Sequence, residues 1–458
     1  MIKHTVRLLL FACIATPVFA QSPDASAIRQ IFDTELSQGK SYAALEYLTT
    51  RIGARLSGSP GAAAGVEWSR HEMENFADSV WLQPVMVPHW IRGQQEQARV
   101  LNSKRQGTIE MNVCALGMSV GTGPEGVTGQ VVEVRSFEEL KQLGEKRIKG
   151  KIVFFNRPMD VKQINTFAAY GGAVEQRALG PSEAAKYGAV GVIVRSMGIN
   201  QEDYPHTGSL RYALNIPKIP AIAISTRHAA LLSTLLQTEK DLQFYFETHC
   251  ETLPDAPSFN VIGEIKGSQY PNEIIVVGGH LDSWDLAQGA HDDGTGCVQS
   301  MEVMRLMKMI GYKPKRTIRA VMFMNEENGL RGGLEYARQA ALKQEKHIAA
   351  IESDDGGFTP RGFTMNAQEG PKARIKSWKP LFAPYGLTDF EEEGAGADIG
   401  PLEPQGVTTL GFLPDSQRYF DYHHTREDTF DKVSKRELEL GAAAMTALVY
   451  LIDQHGLN

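Results

Sequence analysis

The apolar and polar positions of the chain change texture twice. Residues 41–51 carry apolar side chains at helical spacing and predict a helix. Arg55-Leu56-Ser57-Gly58 reads as a turn-rich loop. Ser59 then reads as an N-cap with Pro60 at the first helical position, opening a second helix to about residue 77. Strand-like segments follow over residues 80–113. Beyond them come short apolar runs at 150–156, 189–194 and 216–224, with a helical stretch at 182–187. Brief β-rich runs broken by frequent turns predict a small self-contained β-rich module with a few helices, over residues 113–252.

From about residue 260 the pattern becomes a regular alternation. Strands are predicted at 273–277, 317–324 and 348–352, helices at 294–310 and 329–342, and a closing helix at 445–452. This alternation predicts a mixed α/β sheet with helices on both faces, built from residues 21–112 and 253–458 around the middle module. Ligands of such sheets sit outside the carboxyl ends of the strands. Internal repeats of solenoid or propeller period are absent from the sequence.

Composition then removes several function classes. With 42% hydrophobic and 22% charged residues, a disordered, collagen-like or disulfide-scaffold chain is excluded. A formal charge of −7 leaves no broad basic face for nucleic acid. Lys3, His4 and Arg7 precede an apolar run and then Thr16-Pro17-Val18-Phe19-Ala20, the layout of a signal peptide cut after Ala20. Its run is too short to span a bilayer, and no later stretch is apolar enough to do so. A secreted or periplasmic protein is therefore expected, with acylation at Cys13 as the lipoprotein alternative. Loss of Lys3 and Arg7 takes the mature chain from −7 to −9. Cys114, Cys250 and Cys297 remain, none in a zinc-type spacing, and Cys114–Cys250 is the one pairing worth considering.

Metal-competent side chains recur where the strands of the alternating region end. The first ends in Gly279-His280-Leu281-Asp282, followed by Gly289-Ala290-His291-Asp292-Asp293-Gly294. The second ends in Asn325-Glu326-Glu327 and the third in Ser353-Asp354-Asp355; Tyr422-His423-His424-Thr425 comes much later. A single strand-end acid is usually a cap or a solvated loop residue. Three successive strand ends that all carry such groups point to a site. Imidazoles of His280 and His424 with carboxylates of Asp292, Glu327 and Asp354 form a mixed N/O set suited to Zn²⁺. Five ligands exceed one tetrahedral site but serve two metals when one carboxylate bridges. Asp282, two residues beyond His280, would point the same way along a strand and accept the other ring N–H. Glu326 and Glu327 point oppositely on an extended chain, so one can ligate while the other acts as general base.

Taken in order, these motifs together with His424-Thr425-Arg426-Glu427-Asp428-Thr429 resemble those of the co-catalytic zinc exopeptidases, a family that includes zinc aminopeptidases and glutamate carboxypeptidases. Arg55-Leu56-Ser57-Gly58-Ser59-Pro60, Pro84-Val85-Met86-Val87-Pro88-His89-Trp90 and Asp282-Ser283-Trp284-Asp285 carry the likeness across nearly the whole mature chain. The resemblance implies two Zn²⁺ ions per chain, His280 and Asp354 on one, Glu327 and His424 on the other, and Asp292 bridging. It implies Glu326 as base, Asp282 as the carboxylate behind a ligand, and a cis bond between Asp292 and Asp293. It further implies that the middle module is a protease-associated domain, that the substrates are dipeptides or short peptides with free ends, and that the chain forms a homodimer. An aminopeptidase on longer peptides, a single-zinc cyclising acyltransferase and a receptor without catalysis are the alternatives on this scaffold.

Several choices stay open at this level. Asp293 competes with Asp292, His423 with His424, and Asp355 or Glu352 with Asp354. His291 reads as a loop residue. Asp398, in the Gly-rich stretch Gly394-Ala395-Gly396-Ala397, is a candidate neighbour of the site rather than part of a dinucleotide fingerprint. Ser57 lacks the elbow of a nucleophilic serine. Met301, Met304 and Met307 read as helix core and Cys297 as a buried helix residue. Arg331 and Arg361 are conceivable grips for the peptide ends.

Overall fold

The computed structural model describes residues 22–457; the expected signal peptide, with Cys13, lies outside them. Fifteen strands build two sheets. In chain order they are β1 (Ser79–Ile91), β2 (Gln97–Ser103), β3 (Gly107–Glu110), β4 (Val113–Ala115), β5 (Val127–Val134), β6 (Ile152–Phe155), β7 (Gly191–Arg195), β8 (Ala221–Ile224), β9 (Gln243–Glu247), β10 (Glu251–Ile265), β11 (Tyr270–His280), β12 (Arg316–Phe323), β13 (Lys346–Glu352), β14 (Pro360–Asn366) and β15 (Thr408–Pro414).

The first sheet runs β1-β10-β12-β11-β13-β15-β14. Its centre is parallel, β12 with β11, β11 with β13 and β13 with β15, and its outer pairs are antiparallel. Period-two alternation decides which face each side chain covers. Along β11, Ile275 and Val277 pack with the helices Thr295–Met309 and Lys435–His455. Ile274 and Val276 face the opposite layer, beside Tyr336 and Ala340 of the helix Arg331–Lys343. The mixed α/β fold with helices on both faces is therefore as expected. Met301, Met304, Met307 and Cys297 are buried in this core.

β11, β12 and β13 and the Ser59 cap follow the sequence pattern, whereas β10, β14 and β15 have no counterpart in it and the closing helix is longer, Lys435–His455. Ser59 caps the helix Pro60–Glu74, its hydroxyl accepting the Ala62 N–H at 3.1 Å. The helix expected over 41–51 is α-helical at Ser41–Tyr47 and widens into a π-turn at Leu48–Ile52.

The second sheet, β3-β2-β9-β5-β6-β7-β8-β4, lies wholly between β1 and β10 in sequence. Those two strands pair antiparallel from Ser79–Glu264 to Ile91–Glu251, so the intervening chain leaves and returns through one long ribbon. The expected module boundary at 112/113 cuts this sheet: β2 and β3 belong to it, because β2 pairs with β9 about 150 residues further on. The inserted unit thus begins after Ile91. It also holds more helix than a β-rich reading implies, including Phe137–Ile148 and Thr226–Thr238.

Cys114 and Cys250 do not pair; all three described cysteines are free and buried. Cys114 packs into the core of the inserted unit, whereas Cys250 packs with Trp90 and Trp284. Burial raises both thiols, Cys250 to about 12.

Candidate metal centre

Parallel pairing brings three strand ends to one level. In register, His280 stands beside Phe323, and Gly278 beside Glu352. The residues that follow β12 and β13, Asn325–Glu326–Glu327 and Asp354, therefore emerge around His280. His424 arrives from the loop after β15 with φ +60.

These side chains converge on Asp292. His280 Nε2 lies 3.1 Å from Asp292 Oδ1 and 3.1 Å from Asp354 Oδ1. His424 Nε2 lies 3.3 Å from Asp292 Oδ2 and 3.1 Å from Glu327 Oε2. Each oxygen of Asp292 thus faces its own histidine–carboxylate pair. The other ring nitrogens meet backbone carbonyls: His280 Nδ1 is 2.9 Å from Asp282 O, and His424 Nδ1 3.3 Å from Thr207 O. With Nδ1 protonated by that contact, Nε2 offers a lone pair toward the centre.

The competing residues sit differently around the centre. Asp293 turns away, accepting the His280 N–H at 3.0 Å and the Gly296 N–H at 2.8 Å, where it caps the following helix. The Asp292–Asp293 peptide bond is cis. His423 Nε2 stays 3.9 Å from Asp292 while its ring stacks on His424 at 3.5 Å and packs against Tyr170, Tyr419 and Phe420. It can reach the cluster, but His424 makes the shorter contacts. Neither Asp355 nor Glu352 hydrogen-bonds or ion-pairs with His280, and Glu352 instead accepts the N–H of Ile399 at 3.1 Å. Asp398 is fully buried beside Glu352 with both carboxylate oxygens without a hydrogen bond, and it feels the charges of Glu326 and His280 without bonding to them. His291 stacks on Phe358 at 4.2 Å as part of the loop core.

One expected role changes. The Asp282 carboxylate is 3.9 Å from His280 Nδ1, whose partner is the Asp282 carbonyl. Asp282 Oδ1 accepts the N–H groups of Asn325 at 2.6 Å and Glu326 at 3.1 Å. It therefore fixes the backbone that carries Glu326, because the strand ends in a turn there and the carboxylate meets the neighbouring loop first.

Two supports lie in motifs that carry the family resemblance, but their partners are set only by the fold. Asp428 accepts the N–H groups of His291 at 2.7 Å and Asp292 at 3.2 Å, orienting the bridging candidate. Arg55, fully buried, donates to the carbonyls of Leu281, Gly53, Gln288 and Gly289 and pins the loop before Asp292. The inserted unit supplies two more: Thr207 behind His424, and Ser209, whose hydroxyl donates to the Glu327 carbonyl at 2.6 Å. Distance along the chain hides all of these.

Electrostatics favour bound cations. Burial, and then Asp292, push Glu327 well above the usual carboxylate range. Burial is also the main cause raising Asp354, with Asp292 adding to it and His280 opposing. Glu326 is pushed up to about 8 by burial, against His280 and together with Asp354 and Glu327. No hydrogen bond or ion pair holds its carboxyl among the described residues. Crowded buried acids without lysine or arginine partners fit a multivalent metal, and the N/O donors fit zinc. A spacious cavity, lined by residues such as Arg135, Lys146 and Lys240, lies in the inserted unit away from this chemistry. Donor geometry rather than volume marks the centre.

Residues 260–449 match the model of peptidase family M28. Carboxypeptidase Q from Bos taurus is 34% identical over 417 residues, covering 91% of this chain and 86% of its own length. The human carboxypeptidase Q matches at the same identity and coverage. Among solved structures, a peptidase M28 precursor from Shewanella amazonensis SB2B superposes with a TM-score of 0.89 at 31% identity, covering 94% of this chain and 96% of that one. A zinc aminopeptidase from Bacillus subtilis shares the fold at a TM-score of 0.65 and 20% identity, covering 90% and 94%.

Proposed function

From the premise that this chain belongs to peptidase family M28, we propose that it is a dizinc exopeptidase acting on dipeptides or short peptides with free ends. The observation that carries this reading is Asp292, whose two oxygens face two separate histidine–carboxylate pairs. His280 and Asp354 would hold one ion, Glu327 and His424 the other, with Asp292 shared. When bound, such a pair lowers the pKa of a water and polarises the scissile carbonyl.

The remaining work belongs to the chain. Glu326 takes the proton of the attacking water and delivers it to the leaving amine. Its carboxyl, held by no hydrogen bond or ion pair among the described residues, is free to accept and release a proton. Asp282 positions that base through the Asn325 and Glu326 N–H groups. The carbonyls of Asp282 and Thr207 hold the two imidazoles in one tautomer.

The inserted unit is read as a protease-associated domain, and the mature chain as a secreted or periplasmic homodimer. No helix among the described residues is long and apolar enough to cross a membrane, which is compatible with that location.

Zinc analysis of the purified mature protein, with hydrolysis of free, N-blocked and C-blocked dipeptides and of longer peptides, tests the function. Two zincs per chain and preference for free dipeptides are expected. One zinc with cyclisation of N-terminal glutamine, or trimming of long peptides only, would replace this reading by the corresponding alternative. Light scattering of the same sample tests the dimer.

A further inference from the structure

The inserted unit leaves part of one strand edge open. β5 lies between β9 and β6, yet each covers only half of it. β9 pairs with residues 127–130 and β6 with residues 131–134. Beyond Gln130 the edge on the β9 side is therefore free. Successive peptide groups of a strand point to opposite edges. The Val134 carbonyl points to β6, where it accepts the Asn156 N–H at 2.9 Å. Val131, Glu133 and Arg135 thus point to the free edge. There the Val131 N–H donates to the Leu242 carbonyl at 3.3 Å, and the Arg135 N–H to the Glu139 carboxylate at 2.7 Å. Between them, the N–H and carbonyl of Glu133 face the cavity that residues 130–135 line.

That cavity, about 920 Å³, is a groove between two helices. On one side of β5, Val134 packs with Leu140 of the helix Phe137–Ile148. On the other, Val131 packs with Leu232 and Leu235 of the helix Thr226–Thr238. Five cations line the groove, Arg135, Lys146, Arg147, Lys151 and Lys240, and none forms an ion pair among the described residues. Its three acids are held by uncharged donors. Glu133 accepts from the Asn156 amide at 2.7 Å and the Ser233 hydroxyl at 2.9 Å. Glu139 accepts the Arg135 N–H, and Asp241 the Gln130 amide at 3.3 Å. The groove therefore combines a short strand template with surplus positive charge.

We propose that this groove takes an extended acidic segment of another protein, added to β5 as one more strand. The Glu133 N–H and carbonyl, with the Val131 carbonyl, supply the backbone bonds. Alternate side chains of the added strand meet opposite walls. Acidic ones on the side of the helix Phe137–Ile148 meet Lys146 and Arg147, and apolar ones on the other side meet Leu236. Charge complementarity selects the partner and speeds its arrival.

The probe is the end-blocked peptide acetyl-(Glu-Val)₃-Glu-amide, whose lack of free ends keeps it from competing for an exopeptidase centre. Calorimetric titration of the mature protein should show one saturable site per chain that weakens as salt rises. Lys146→Glu with Arg147→Glu should weaken it about 10-fold or more; both residues are exposed and unpaired, and dipeptide hydrolysis should be unchanged. Two further probes carry N-methyl groups on alternate amides, in the two possible registers. Only one edge of an added strand bonds to β5, so one methylated probe should bind about 10-fold more weakly than the other. Equal binding of the two would show attraction by charge alone and overturns strand addition without any protein variant. Absence of binding would show that the cations only guard the edge against pairing, and overturns the proposal. Self-association of the protein that the double substitution abolishes would seat a second copy in the groove, and overturns the assignment to a foreign segment.

Discussion

Replacement of Glu326 by Gln is the most informative single change. The substitution keeps side-chain volume and removes only the ability to accept and release a proton. Since no hydrogen bond or ion pair holds this carboxyl, no structural contact is lost. Glu326 is half-buried and neighbouring acids disfavour its charge, so a neutral amide should leave folding stability unchanged or slightly higher. Glu326 is not among the five proposed ligands, so the zinc content should stay at two per chain. General acid–base catalysis contributes about 10²- to 10⁴-fold, roughly 3–5 kcal/mol of barrier, and kcat should fall by that factor with little change in KM. The assays are steady-state hydrolysis of a dipeptide, elemental analysis of zinc, and thermal unfolding of both proteins. Turnover within a few-fold of the unsubstituted enzyme would refute the base assignment. Loss of zinc would move Glu326 into the ligand set.

Other substitutions separate neighbours that look alike. His424→Ala should lose bound zinc and activity, whereas His423→Phe should retain both zincs because its ring packs as a wall; elemental analysis distinguishes them. Gly208→Ala should loosen zinc binding about 10- to 100-fold, measured by competition with a chelator, because its Cβ strikes Arg177 and crowds His424 Nδ1 in a strained backbone. Glu35 offers a pH test remote from the metals. Burial, with Glu302 beside it, pushes its carboxyl up to about 10, so the folded chain keeps a proton that the unfolded chain releases above about 4.5. Its contribution is whole below that value and is lost as pH rises toward 10, at up to about 1.4 kcal/mol per pH unit. Glu35→Gln should therefore flatten the decline in unfolding free energy between pH 6 and 9, read by urea denaturation; an unchanged slope would exclude Glu35 as its source.

The sequence by itself determined the central strands β11, β12 and β13 of the first sheet and the kinds of group at their ends, but not β10, β14 and β15. Apolar alternation is local, and so is the order of His280, Asp292, Glu327, Asp354 and His424. Which residue of each adjacent pair faces the centre was decided only by the tertiary structure. Asp292 rather than Asp293 reaches it because Asp293 is consumed by the N–H groups of His280 and Gly296. Asp282 likewise holds the Glu326 backbone instead of the His280 ring, since the loop after β12 folds onto it. The extent of the inserted unit depended on β2 meeting β9 across about 150 residues, a pairing no local window contains. Thr207 and Ser209 were hidden for the same reason. Their side chains and carbonyls are ordinary in sequence and acquire contacts only because the ribbon of β1 and β10 returns the inserted unit over the candidate metal centre.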